Sequence, residues 1–191
     1  MTRELKWRII ALQGMAIIVL GFCAGFLYTE STFVTGMVND QLAAQNITFP
    51  DRDTLVNAKN PDGTAEYTNL VIQYAGQKVD NGDKAYAYGN GFIGVHLHNI
   101  ANGMTYSEVS AAAAKDPTNT KLAGQKTTLF QGEMLRSTLL NAWGWSQLGF
   151  YTLYASIGLA LAALVVLAAL IFELATARRR LPSTVRKPVT A

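Results

Sequence analysis

Two apolar segments free of charge bracket the middle of this chain, and no other feature limits its fold as strongly. The first runs from Ile9 to Tyr28, and no charged residue lies between Arg8 and Glu30. The second runs from Phe150 to Phe172, inside an uncharged stretch between Arg136 and Glu173. About 20 apolar residues in a helix cross the roughly 30 Å hydrocarbon layer of a bilayer. In that medium a segment must satisfy its own backbone, so both segments are expected to be helices. A signal peptide is the rival for the first segment, given Arg3, Lys6 and Arg8 before it. The apolar run is longer than the usual core of a signal peptide, and no small-x-small cleavage site follows it, which favours an uncleaved helix.

Charge then predicts the orientation. The two ends together carry eight basic and two acidic residues, net +6, whereas residues 30–136 carry eight basic and eleven acidic, net −3. Lys and Arg beside membrane helices mark the cytoplasmic side. The reading is therefore five segments: a cytoplasmic N-terminus (1–8), transmembrane helix 1 (9–28), an extracytoplasmic stalk and domain (29–147), transmembrane helix 2 (148–174) and a basic cytoplasmic tail (175–191). Trp7, Trp143, Trp145 and Tyr151, with Arg178, Arg179 and Arg180, are the expected anchors at the membrane surfaces. Arg178–Arg180 read as topology and lipid-headgroup signals, not as a nucleic-acid patch. The single cysteine, Cys23, lies within the first apolar segment, so no disulfide staples the middle of the chain. That region must rely on its own core, a partner or other copies.

The middle region reads as mostly helical. Phe33, Val34, Met37, Val38 and Leu42 recur at helical spacing and carry helix 1 on to about Gln45, before Asn46, Thr48 and Pro50 break it. Asn46-Ile47-Thr48 matches the glycosylation triplet, a short pattern common by chance. Residues 51–65 read as a polar loop. Tyr67 to Tyr74 is rich in strand formers and Asn81-Gly82 is a turn signal, so a short β-hairpin is expected there. Helices near 51–58 or 65–73 are the alternative. From Lys84 a helical face formed by Ala85, Phe92, Ile93, Leu97 and Ile100 ends at Asn102-Gly103, a C-cap signal. Gly89-Asn-Gly91 reads as a turn. Thr105-Tyr-Ser-Glu108 is a capping box opening a helix that Asp116-Pro117 stops. Thr127-Thr128 is expected to cap a further helix leading into the second apolar segment.

Candidate sites are few. His96 and His98 are the only histidines. They share a face in a strand and diverge by about 200° in a helix, so the helical reading makes them weak candidates for a metal site. The sequence contains no Gly-x-Ser-x-Gly elbow, Walker A loop or dinucleotide fingerprint. No catalytic residue and no cofactor is expected. Within the apolar segments, Gly21 and Gly25 form a G-x-x-x-G pair with Gly14 on nearly the same face, and Ser156 and Ala160 offer small residues on the second helix. Small residues let helix backbones approach closely. They serve either to pack the two helices on each other or to dock another protein. Gln13 is the strongly polar group deep in the first helix, able to bond a neighbouring helix. No intramembrane carboxylate, lysine or histidine suggests a proton relay. Tyr67, Tyr74, Tyr86, Tyr88, Phe92 and Tyr106 are aromatics able to line a pocket in the outer region.

Four stretches carry a family resemblance: Leu42-Ala-Ala-Gln-Asn-Ile-Thr-Phe-Pro50, Tyr74-Ala-Gly-Gln-Lys-Val79, Phe92 to Glu108 with His96-Leu97 and Gly103-x-Thr105-Tyr106, and Leu135-Arg136. Together they resemble uncharacterised two-pass membrane proteins of actinobacteria and related bacteria. The resemblance implies a bacterial plasma membrane and an outward-facing domain, and it implies no catalytic residues. An aromatic-ring-dioxygenase activity attributed to some of those proteins would need an iron site of two histidines and a carboxylate. Here that site would have to use His96 and His98, which the helical reading points apart. The expected function is a non-catalytic accessory or structural membrane protein. Its partners would be lipids and other integral membrane proteins or copies of itself, with no nucleic acid. The alternative is an extracytoplasmic ligand-binding or sensing module acting through a partner, followed by a His-dependent metalloenzyme or a homo-oligomeric channel.

Overall fold

A computed structural model describes residues 3–178. Its elements in chain order are α1 (Arg3–Ala44), α2 (Arg52–Asn57), α3 (Asn69–Ile72), α4 (Gly82–Tyr86), a π-helix π1 (Ala87–Ile93), α5 (Gly94–Ile100), α6 (Tyr106–Lys115) and α7 (Thr120–Arg178). The fold is mainly helical, and no strand forms among the described residues. Two isolated antiparallel bridges, Thr48 with Lys78 and Lys59 with Ala65, are the extended pairings present. The chain divides into two compact units, one of residues 1–30 with 151–191 and one of Ser31–Phe150. Residues of α1 and α7 belong to both.

In the first unit α1 and α7 are long and apolar enough to cross a membrane. Only 6 % of the most apolar 18-residue stretch of either helix is buried. That separates them from the core helix of a soluble protein, whose apolar face is covered. The covered positions recur every three or four residues. Along α1 they include Ile10, Gln13, Ile17, Leu20, Ala24 and Leu27; along α7 they include Ser156, Leu159, Ala163, Val166, Leu170 and Glu173. A 3.5-residue repeat of covered positions is the seam of two helices that coil about each other.

The second unit has its own core. Val38 and Leu42 of α1 and Leu129 and Leu139 of α7 join Phe49, Leu55, Val71, Val79, Ile93 and Val109 in one buried cluster. Local chemistry fixes the short elements. Asp51 caps α2, accepting from the Thr54 backbone at 2.8 Å and the Thr54 hydroxyl at 2.7 Å. Asn81 caps α4 by accepting from Lys84 N at 3.0 Å. The α4–π1–α5 rod ends in a Schellman motif. Asn102 and Gly103 take φ of 51° and 82°, and their amides donate to Asn99 O at 3.3 Å and His98 O at 2.9 Å. The capping box of α6 is complete: Glu108 accepts from Thr105 N at 2.7 Å, and Thr105 Oγ1 accepts from Glu108 N at 3.3 Å.

Three local expectations are overturned. The hairpin expected between Tyr67 and Asp83 does not form. Ile72 N donates to Thr68 O at 3.1 Å and Gln73 N to Asn69 O at 3.3 Å, so the segment turns as the single-turn helix α3, the alternative reading. Gly89-Asn-Gly91 is not a turn but the middle of π1. A Cβ on Gly91 would stand 2.5 Å from Val71 Cγ2, so the missing side chain lets π1 lie against α3. Finally, Thr127-Thr128 does not cap a helix. Asn119 caps α7 by accepting from Leu122 N at 3.1 Å, and Thr127 Oγ1 donates back to Ala123 O at 3.1 Å inside the helix.

Candidate functional site

Three groups of residues stand out in the sequence, and the structure treats them differently. Among the helix-packing residues, Ser156 is buried and its hydroxyl donates to the Ala24 carbonyl at 2.8 Å. Ala160 is exposed. Gly14, Gly21 and Gly25 have nothing within 4 Å of where a Cβ would stand. By helix geometry they lie about 90° around α1 from the covered seam. The pairing of α1 with α7 is therefore made at Ala24 and Ser156 and leaves the glycine face open. Gln13, on the seam, holds its Oε1 buried with no hydrogen-bond partner.

Of the expected anchors, Trp7, Trp145 and Tyr151 are exposed. Trp143 is half-buried, its ring 4.8 Å from that of Tyr86, so it packs within the second unit. Arg178 is the last residue of α7, and Arg179 and Arg180 lie outside the described residues.

His96 and His98 both sit on α5 but line different clefts of the second unit. Among the described residues no group of three or more His, Cys, Asp or Glu side chains gathers as a metal site would require. The cleft beside His98 is about 330 Å³ and also takes in Ser107, Tyr106 and Glu133. No hydrogen bond joins Ser107, His98 and Glu133. The Glu133 carboxylate instead accepts from Arg136 Nη1 at 3.2 Å. Arg136 also donates through Nε and Nη2 to Asn90 Oδ1 at 3.2 and 2.8 Å, which ties α7 to π1.

The cleft beside His96 is larger, about 570 Å³, within the size range of small-molecule sites. Tyr67 and Phe92 form one wall, their rings stacked at 5.1 Å. Glu66 and Asn99 add polar groups, and Lys59 and His96 are exposed along it. A tight loop carries Glu66 into place. Gly63 N donates to Asn60 O at 2.9 Å, Asn60 N to Thr64 O at 3.0 Å and Glu66 N to Ala58 O at 3.1 Å. Pro61-Asp62-Gly63 suits this turn: Pro presets φ at the first corner, and Gly63 takes φ 83° without a Cβ penalty. The Asp62 carboxylate accepts from the backbone and hydroxyl of Thr64. Those two bonds, the hydroxyl first, hold its pKa below the usual carboxylate value.

The amide orientations in this cleft follow from their partners. Asn60 Nδ2 donates to Thr64 Oγ1 at 3.0 Å and to the Ala65 carbonyl, a pure acceptor, at 3.3 Å. Its Oδ1 therefore turns to Asn99. Asn99 must then present Nδ2, which donates to Asn60 Oδ1 at 3.1 Å and Glu66 Oε1 at 3.2 Å. The Asn99 Oδ1 is left with no bond within the chain. Burial first, then the Glu66 charge beside it, pushes the Tyr67 hydroxyl up to about 12, so Tyr67 stays a donor at neutral pH.

The six aromatics proposed for a pocket fall into three sets. Tyr67, Phe92, Tyr88 and Tyr74 link through Phe49 into one run of ring contacts. Tyr86 pairs with Trp143, and Tyr106 with Phe130. Burial raises the Tyr88 hydroxyl as well. Sequence reasoning missed Asn60, Glu66 and Asn99. They lie up to 39 positions apart, and no motif spacing links them.

Comparison of the chain with protein-family models, with curated proteins and with solved structures gives no match.

Proposed function

We propose that this chain is a two-pass membrane protein that serves as a non-catalytic accessory subunit, docking another integral membrane protein through α1. Both termini lie in the cytoplasm and residues 29–147 lie outside. Basic residues at both ends support that orientation, as does the acidic balance of the middle. The exposed apolar surface of α1 and α7 supports lipid as their solvent, since water would drive so large a patch to associate.

The observation that carries the docking role is the open face at Gly14, Gly21 and Gly25. In lipid, close van der Waals approach at small residues drives helices together. The chain's own second helix does not use this face.

The test is purification of the full chain from its native membranes in mild detergent. The wild type is expected in a high-mass species, and Gly21→Leu with Gly25→Leu is expected to release it as a monomer with an unchanged melting temperature. A wild-type monomer, or a high-mass species indifferent to both leucines, would overturn the docking role. Mass spectrometry of the species separates a different membrane protein from a second copy. Orientation is checked separately: with Cys23→Ala as background, Asp62→Cys should react with an impermeant maleimide added outside intact cells.

A further inference from the structure

The cleft between the α2–α3 loop and α5 is lined by both hydrogen-bond acceptors and donors. Glu66 and Asn99, both half-buried, supply acceptors. Glu66 offers a carboxylate that accepts at about four positions, and Asn99 Nδ2 takes one of them at 3.2 Å. Asn99 Oδ1 is an acceptor with no donor, and its direction is fixed because the Asn60 network forces Nδ2 the other way. Along the exposed rim stand donors, the Lys59 ammonium and the His96 imidazole. The stacked rings of Tyr67 and Phe92 supply an apolar wall.

We propose that this cleft binds a small zwitterion with an apolar body, an amino acid or short peptide with free termini. The ligand's ammonium carries three donors and meets Glu66 and Asn99. Its carboxylate meets Lys59 and His96, and its apolar side chain covers Phe92. A simple amine would leave the two rim donors unanswered, and a simple anion would face Glu66. The site does not depend on the docking role of α1, and it holds whichever membrane partner the chain has.

The same chemistry is present in a free amino acid and in a peptide, so both are used as probes. The full chain in detergent is titrated calorimetrically with phenylalanine and with leucyl-phenylalanine, each also as its N-acetyl derivative and its C-terminal amide. At least one free zwitterion is expected to bind, and which of the two binds more tightly tells a free amino acid from a peptide. Loss of a charge-assisted bond weakens binding by about tenfold or more. Acetylation of the ligand and Glu66→Gln should each produce that loss, and the two together should do little more than either alone. His96→Ala and Lys59→Ala should weaken the free acid but leave the amide unchanged. The two rim side chains are exposed, so these variants keep the test valid if Glu66→Gln lowers the melting temperature. No binding of either zwitterion up to about 10 mM, or binding indifferent to acetylation and to the rim variants, would overturn the proposal.

Discussion

The hydroxyl of Ser156 donates to the carbonyl of Ala24 at 2.8 Å, across 132 positions of sequence. Ser31 makes the matching bond in the other unit, to the Gly149 carbonyl at 2.7 Å. In both cases a small side chain lets one helix come close enough to reach the backbone of the other. Interhelical bonds of this kind in lipid average about 0.6 kcal/mol and reach about 1.7. Ser156→Ala is expected to fall in that range in a reversible unfolding assay in bilayers. Ser156→Leu should cost more, because Ala24 is 6 % exposed and leaves no room for a larger neighbour.

The glycines should divide by what stands opposite them. Gly91→Ala places a methyl against Val71, and overpacking of this sort costs about 1–3 kcal/mol. Gly124 lies in α7 with nothing within 4 Å, so Gly124→Ala should stabilise by up to about 1 kcal/mol through helix propensity. Opposite shifts in melting temperature from two identical substitutions are the expected result.

The capping box of α6 gives an acid-side prediction. The backbone amide of Thr105, then its hydroxyl, lowers the Glu108 pKa. A lowered native pKa means a contribution present above the unfolded value of about 4.5 and lost as pH falls below it. The wild type should therefore lose more melting temperature than Glu108→Gln between pH 6 and pH 3. Thr105→Ala, which removes the cap itself, should cost about 1 kcal/mol at neutral pH.

Tyr67 gives the alkaline counterpart. Its native pKa of about 12 lies above the usual tyrosine value of 10.0, so the folded chain holds a proton that the unfolded chain releases. Stability is complete below pH 10 and falls as pH rises from 10 towards 12. Tyr67→Phe should flatten that fall, measured by melting temperature against pH. Tyr88 is shifted the same way by burial, so Tyr67→Phe should reduce the slope without abolishing it.

Sequence by itself determined the features that depend on neighbours along the chain. Two uncharged apolar runs defined the long helices, because length and composition decide whether a helix can face lipid. Asn102-Gly103 and Thr105–Glu108 defined the end of one helix and the start of the next, because caps are local hydrogen bonds. Tertiary structure decided what depends on distant partners. Tyr67–Tyr74 has strand formers, yet no second strand pairs with it, and its backbone closes on itself instead, Ile72 N donating to Thr68 O and Gln73 N to Asn69 O. Gly89 and Gly91 read as a turn until packing against α3 showed why the π-helix needs Gly91 bare. The glycines of α1 read equally well as an internal seam, and only the Ser156–Ala24 contact shows that the chain leaves them open. The cleft at Glu66 lay beyond the reach of sequence because Asn60, Glu66 and Asn99 meet only after the loop and α5 have packed. A hydrogen-bond network of that kind has no spacing to read: its geometry is set by the fold, not by the order of its residues.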